Sequence, residues 1–397
     1  MSTEKLFTPR FATLWFFQFA TFFAAFQLFP VIPFRILALG GSKAEAGSFL
    51  FVYTLASAFA APMTGAIADR VGRKRVLILA SALFMIFSLA YAVVPWLPAV
   101  LVIGIVHGAV WSGILSSSGA IMTEYIPVSR RNEGLAYWGM APTLAMSIAP
   151  VVGFFVYRQL SWFALCLELA GIAVMTSTWA TRLPERHTPS DADLPRFSEL
   201  WDWSVVKVTL SLTVTAIGYG GITSYSAILA HERGIQPESL FFTVFAISTI
   251  AIRIFIPRLG DRFGPKVLLY PSFVALPIAL AIFAMATTRG QLIASAIVFG
   301  FGMGGAWPSF MTLIVGATDE RRRARTFGSV IWAFDTGIGF GSLAIGAIGQ
   351  RHGLGFAFLL SAALSCLALP IFIITTRRFL ARGTAVAPTE EHAGTGS

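Results

Sequence analysis

Three ionisable residues stand deep in otherwise apolar stretches: Asp335, Glu168 and His107. Counted from the nearer end of each stretch at the helical rise, Asp335 lies roughly 13 Å in, Glu168 roughly 12 Å in, and His107 at a depth similar to that of Asp335. A charge at the centre of a bilayer costs roughly 2.5–3.5 kcal/mol even on the milder scales. Groups in such places need a task, and reversible protonation is the task their chemistry suits. All three are therefore proton-coupling candidates, with Asp335 first. No cluster of acid, base and nucleophile accompanies them, and no Gly-rich phosphate loop occurs, so neither an enzyme nor an ATP-driven pump is expected. The two cysteines, Cys166 and Cys366, cannot build a metal cluster, and no cofactor or metal is expected.

The elements that must hold these groups follow from composition. Of 397 residues, 56% are hydrophobic and only 12% are charged. A soluble domain needs roughly 25% charged residues to coat its surface, so a polytopic helical membrane protein is expected. The net charge of +10 then concerns topology rather than nucleic acid. Gaps between charges mark the spans. Residues 11–34 and 46–68 are free of charge, and so are 76–123. As a single helix that third gap would be roughly 72 Å long, so it must hold two spans, with the turn at Pro95-Trp96-Leu97-Pro98. Further spans fall at about 134–157, 160–181, 204–230, 237–257, 266–288, 291–316, 326–348 and 354–376, making twelve. Alternate inter-span segments carry 21 of the Lys and Arg residues against six in the others. This bias puts both termini in the cytoplasm. Short loops and 24 Arg against 5 Lys suggest a bacterial inner (plasma) membrane.

The chain also repeats. Displaced by 192 residues, Asp69, Arg70 and Gly72 fall on Asp261, Arg262 and Gly264, Gly108 falls on Gly300, and Arg130-Arg131 on Arg322-Arg323. Ala145 and Ala149 fall on Gly337 and Gly341. Two homologous six-helix halves follow, at 1–182 and 204–380. A polar linker (183–203) joins them, and a disordered tail (381–397) follows. Parallel repeats with a midplane site between them are a transporter architecture.

The strongest local signal is Gly65-Ala-Ile-Ala-Asp69-Arg70-Val-Gly72-Arg73-Lys74-Arg75, between the second and third spans, with a degenerate second copy around Asp261-Arg262. Gly65 suits a close helix approach, Gly72 a turn with positive φ, and Asp69 acceptance from the amides of a helix N-terminus. The motif, the repeat and the twelve spans together resemble the major facilitator superfamily, over about 5–380. The resemblance implies that Asp69 latches the halves against the eleventh helix, and that Arg73 pairs with an acid ending the fourth span, here Glu124. Gly65, Asp69, Arg70, Gly72, Arg73, Glu124, Asp261 and Arg262 are thus the expected cytoplasmic gate. The fifth span reads Ala145-x-x-x-Ala149-Pro150 where proton-driven exporters of the superfamily often show Gly-x-x-x-Gly-Pro. Gly104 occupies the place of an arginine associated with coupling in sugar and drug efflux members.

The resemblance also implies a cavity lined by the first, fourth, seventh and tenth spans. Those spans offer Gln18, Phe22, Phe26 and Gln27; Trp111, Ser112 and Ser116; Tyr219, Ser224 and Tyr225; and Phe301, Trp307 and Phe310. Aromatic faces with a few polar handles suit a neutral or cationic amphipathic molecule. The expected activity is proton-coupled export (antiport) of a small amphipathic organic compound by alternating access. The alternatives are a proton-coupled importer of a sugar or organic acid, and a lipid or lysolipid flippase. Expected partners are the substrate, protons and the lipid bilayer, with no nucleic acid, in a monomer.

Overall fold

A computed structural model describes residues 5–183, 201–318 and 323–384. The architecture is all-α, and the described residues contain no strand. Helices α1 (Pro9–Ala38), α2 (Lys43–Val71), α3 (Arg73–Val93), α4 (Leu97–Tyr125), α5 (Arg131–Gln159) and α6 (Trp162–Thr181) form the first half. Helices α7 (Trp203–Glu232), α8 (Leu240–Phe263), α9 (Lys266–Met285), α10 (Arg289–Gly316), α11 (Arg323–His352), α12 (Leu354–Ser365) and α13 (Ala368–Thr384) form the second. The last two make one span, 354–377, interrupted at Cys366-Leu367. Eleven stretches are long and apolar enough to cross a membrane, and α8 is apolar over Leu240–Arg253.

Local chemistry sets the helix ends. Thr8 caps α1 by accepting from the Phe11 amide, and Pro9 occupies the first helical position. Ser42 and Glu45 close a capping box at the start of α2. Gly72, at φ +114°, separates α2 from α3 with a backbone geometry that a residue with a side chain rarely adopts. The stop between α3 and α4 falls at Val94, Pro95 and Trp96, and Leu97-Pro98 open α4. Residues 184–200, most of the linker, lie outside the described residues, as do 385–397 of the tail.

The two halves pack alike. In the first, α1 lies on α5, α2 on α4 and α3 on α6; in the second, α7 lies on α11, α8 on α10 and α9 on α12. A Cβ added at Gly108 would come 2.1 Å from the Tyr53 carbonyl oxygen on α2. Its counterpart Gly300 is also tightly placed, against Ser248 of α8 at 2.6 Å. The close approach of α2 and α4 is thus made at Gly108. A Cβ at Gly65 would meet Ser116 at an ordinary 3.9 Å, so sterics do not demand glycine there. Between the halves, α2 packs on α11, α5 on α8 and α1 on α7.

Candidate functional site

The molecule has a terminal end, bearing the start of α1 and the end of α13, and an opposite, distal end. At the terminal end the α2–α3 turn carries charge. Arg73 donates from Nε to Asp69 Oδ1 at 2.8 Å and from Nη1 to Glu124 Oε1 at 2.6 Å. One guanidinium therefore ties the last turn of α2 and the last turn of α4 to the first residue of α3. Arg73 and Glu124 are about four-fifths buried, which strengthens the pair relative to one in water. The first turn of α11, expected to face Asp69, adjoins residues 319–322, which lie outside the described residues. Asp261 and Arg262 fall in the helical backbone of α8, but their side chains also lie outside the described residues.

The distal end is sealed between the halves. Lys43 Nζ meets Glu232 Oε1 at 2.6 Å, and the Lys43 amide donates to Gln350 Oε1 at 3.0 Å. The Tyr225 hydroxyl donates to the Lys43 carbonyl at 2.6 Å. Ser342, paired with Ser224 at 2.7 Å, reaches the Gly47 carbonyl at 3.1 Å. On the other seam, Arg158 of α5 donates to Glu238 Oε1 at 2.6 Å, and His231 Nδ1 lies 2.7 Å from the same oxygen. Phe154 stacks on Phe242 beneath this cluster. Ser224 and Tyr225, expected in the cavity, thus sit in this seam with their hydroxyls engaged.

Between the ends, the expected cavity residues divide into groups. Phe22 stacks against Phe26 and meets Trp111 edge-on at 4.9 Å, with Tyr53 beyond. In the second half Phe334 joins Trp307 at 4.7 Å and Tyr219 at 6.3 Å. Phe301 is half-buried on α10. Phe310 is fully buried and turned towards Phe372 of α13. The polar candidates mostly join helices: Ser118 donates to Gln18 at 3.1 Å, Ser112 pairs with Thr64 at 3.0 Å, and Ser116 reaches the Ala61 carbonyl at 3.5 Å.

The three deep ionisable groups have different surroundings. His107 is fully buried among Tyr53, Phe84, Phe87 and Tyr91, with Nδ1 at 3.3 Å from the Tyr91 hydroxyl and Nε2 unpartnered. Glu168 accepts from Gln27 Nε2 at 3.2 Å, joining α1 to α6. Asp335 is half-buried on α11, twelve residues from its first residue. None of the described residues hydrogen-bonds its carboxyl. It lies within electrostatic reach of Tyr53 on α2 and Tyr219 on α7, one hydroxyl from each half. Sequence reading missed Tyr53, because a tyrosine in an apolar span carries no signal of which neighbours it meets.

The Major Facilitator Superfamily model matches residues 14–236 and 208–392. The chain belongs to the major facilitator superfamily. Its family and fold are those of transporters, not enzymes. It is 25% identical over 314 residues to the "Multidrug resistance protein MdtL" of Klebsiella pneumoniae, covering 74% of this chain and 79% of that protein. It is 21% identical over 387 residues to the "Staphylopine export protein" of Staphylococcus aureus, covering 91% and 94%. Among solved structures, a mutant of the nucleoside transporter NupG superposes with a TM-score of 0.77 at 16% identity, covering 92% of this chain and all of that one. A bacterial homologue of the human lysosomal transporter Spinster, in an inward-facing and unoccupied conformation, gives 0.75 at 14% identity, covering 96% and 99%. These structural likenesses establish the shared fold.

Proposed function

We propose that this superfamily transporter exports a small amphipathic organic compound in exchange for protons. The observation that carries the reading is Asp335: a half-buried carboxyl on a seam helix, without a hydrogen bond from the described residues and within electrostatic reach of one tyrosine from each half. A carboxyl left open in this way can take up and release a proton, and either state changes its affinity for a cation beside it. His107 and Glu168 already have polar partners, so they rank behind it. The aromatic groups around Phe22, Trp111, Tyr219 and Trp307 supply an apolar wall for the cargo. Efflux-named relatives support the export direction. The protein would act as a monomer in a bacterial inner membrane, with the terminal end in the cytoplasm.

Alternating access then requires a gate at each end. At the terminal end, Gly65, Asp69, Arg70, Gly72, Arg73 and Glu124 are assigned to it, with Asp261 and Arg262 as their counterparts in the second half. The distal seam is the opposing gate. The test is substrate-induced proton movement in energised everted vesicles, followed with a pH-sensitive dye. One class among amphipathic cations, neutral drugs, sugars and lysolipids should release protons from the lumen, and Asp335→Asn should abolish the signal. Proton uptake driven by a sugar in the opposite sense would favour import, and dye-silent movement of a lysolipid would favour a flippase.

A further inference from the structure

The Glu238 cluster holds a titratable group that the reading above leaves without a task. Glu238 stands just before α8, with its side chain only 8% exposed. One of its carboxylate oxygens, Oε1, gathers three side chains. Arg158 Nη2 of α5 lies at 2.6 Å, His231 Nδ1 of α7 at 2.7 Å and Gln236 Nε2 at 3.4 Å. Glu238, His231 and Gln236 belong to the second half, and Arg158 to the first. Parting the halves at the distal end therefore removes Arg158 and leaves the other three together. His231 is the penultimate residue of α7 and its side chain is 60% exposed, so protons of the distal compartment reach it. Histidine is the side chain whose charge ordinarily changes between about pH 5 and 8.

The other charges of this end have tasks of their own. Glu232, next in the chain, pairs with Lys43 of α2 at 2.6 Å. Arg233 donates to the carbonyls of Ala284 and Ala286 at the end of α9. On α1, Arg35 lies over the Trp162 ring, and on α2, Glu45 closes the capping box with Ser42. Helix α10 opens with Arg289, α11 ends in Arg351 and His352, and α12 carries no charge. His352 lies beside Phe356. Among the described residues, Glu238 forms ion pairs with Arg158 and His231 alone.

The sign of the effect follows from which half holds which charge. With His231 neutral, Arg158 meets one net negative charge across the seam. With His231 charged, Glu238 and His231 together carry no net charge, and a second cation shares the oxygen that Arg158 uses. The pull on Arg158 weakens. By linkage, Arg158 close by disfavours a proton on His231 and its departure favours one, so proton binding and distal opening promote each other. We propose that His231 is a proton sensor for the distal gate: acid on the distal side charges it and loosens the tie between Arg158 and Glu238. This rests on the distal seam acting as a gate and adds a control to it. The gate opens most readily where protons are abundant enough to exchange for cargo.

The test uses the full-length protein in detergent, spin-labelled at Leu160 and Arg289, in an Asp335→Asn background that fixes the deep carboxyl. The longer-distance population is read at about pH 8 and about pH 5.5, either side of the histidine range. Acidification should enlarge it about fivefold, the factor that corresponds to the upper end for an exposed ion pair. His231→Gln, at an exposed position, should keep the alkaline distribution at both pH values. His231→Arg, charged throughout, should show the enlarged population at both. His352→Gln, which removes the other histidine of this end, should respond as the background does. An unchanged distribution in acid, or an undiminished response in His231→Gln, overturns the proposal. Shrinkage of the longer-distance population in acid overturns it as well, because charged His231 would then be a clamp. If Arg158→Gln lengthens the distance while acid does nothing, the gate stands and the sensor falls. If neither moves the labels, both fall. A His231-dependent response in a protein whose vesicles exchange no protons would keep the sensor and sink the efflux reading.

Discussion

Removing Arg158 should loosen the distal seam by a measurable amount. Its guanidinium donates to Glu238 at 2.6 Å across the halves, and it is held in place over the rings of Phe34 and Tyr157. Glu238 is 8% exposed and Arg158 is 40% exposed. A fully exposed pair contributes about 0.2–1 kcal/mol, whereas breaking a fully buried one costs about 3–5 kcal/mol. This pair lies between those limits. His231 and Gln236 remain beside the Glu238 carboxylate, at 2.7 Å and 3.4 Å, and limit the damage. The loss in Arg158→Gln is therefore about 1.5 kcal/mol, which is about a tenfold gain in the distal-open population. Spin labels on the exposed positions Leu160 and Arg289 would report it as growth of a longer distance between the two sites. An unchanged distance distribution would refute the assignment of this pair as a gate contact. A loss of folded protein would show instead that Arg158 holds the half itself together.

Other outcomes follow from particular contacts. Gly108→Ala should lower thermal stability in detergent by about 1–3 kcal/mol, because the new methyl meets the Tyr53 carbonyl. Gly65→Ala should change it by no more than about 0.5 kcal/mol, because its new methyl has room. Asp69→Asn should impair transport in vesicles while insertion and melting stay intact, and full activity would remove Asp69 from the gate. Glu168→Gln should transport with the wild-type pH profile, because an amide oxygen can still accept from Gln27; a lost pH profile would move proton coupling to Glu168.

The order and rough extent of the helices were legible in the sequence, because charge gaps and the helical rise fix them. The break at Pro95-Trp96 and the Gly72 break both fall where composition put them. The Arg73–Glu124 ion pair forms as the motif implies. What the sequence withheld was rotation about each helix axis. Helix α7 is apolar on most sides, so no polar stripe shows that Ser224 and Tyr225 turn into the seam with α2 and α11 while Tyr219 turns towards α8, α10 and α11. The same holds for Phe310, whose position on the tenth span is plain but whose ring packs on α13.

The measurement that bears most directly on the account is proton release from energised everted vesicles on adding substrate, with Asp335→Asn alongside the wild type. Release by the wild type and silence from an equally abundant, correctly inserted Asp335→Asn protein is the predicted result. Undiminished proton release by that variant would contradict the central claim.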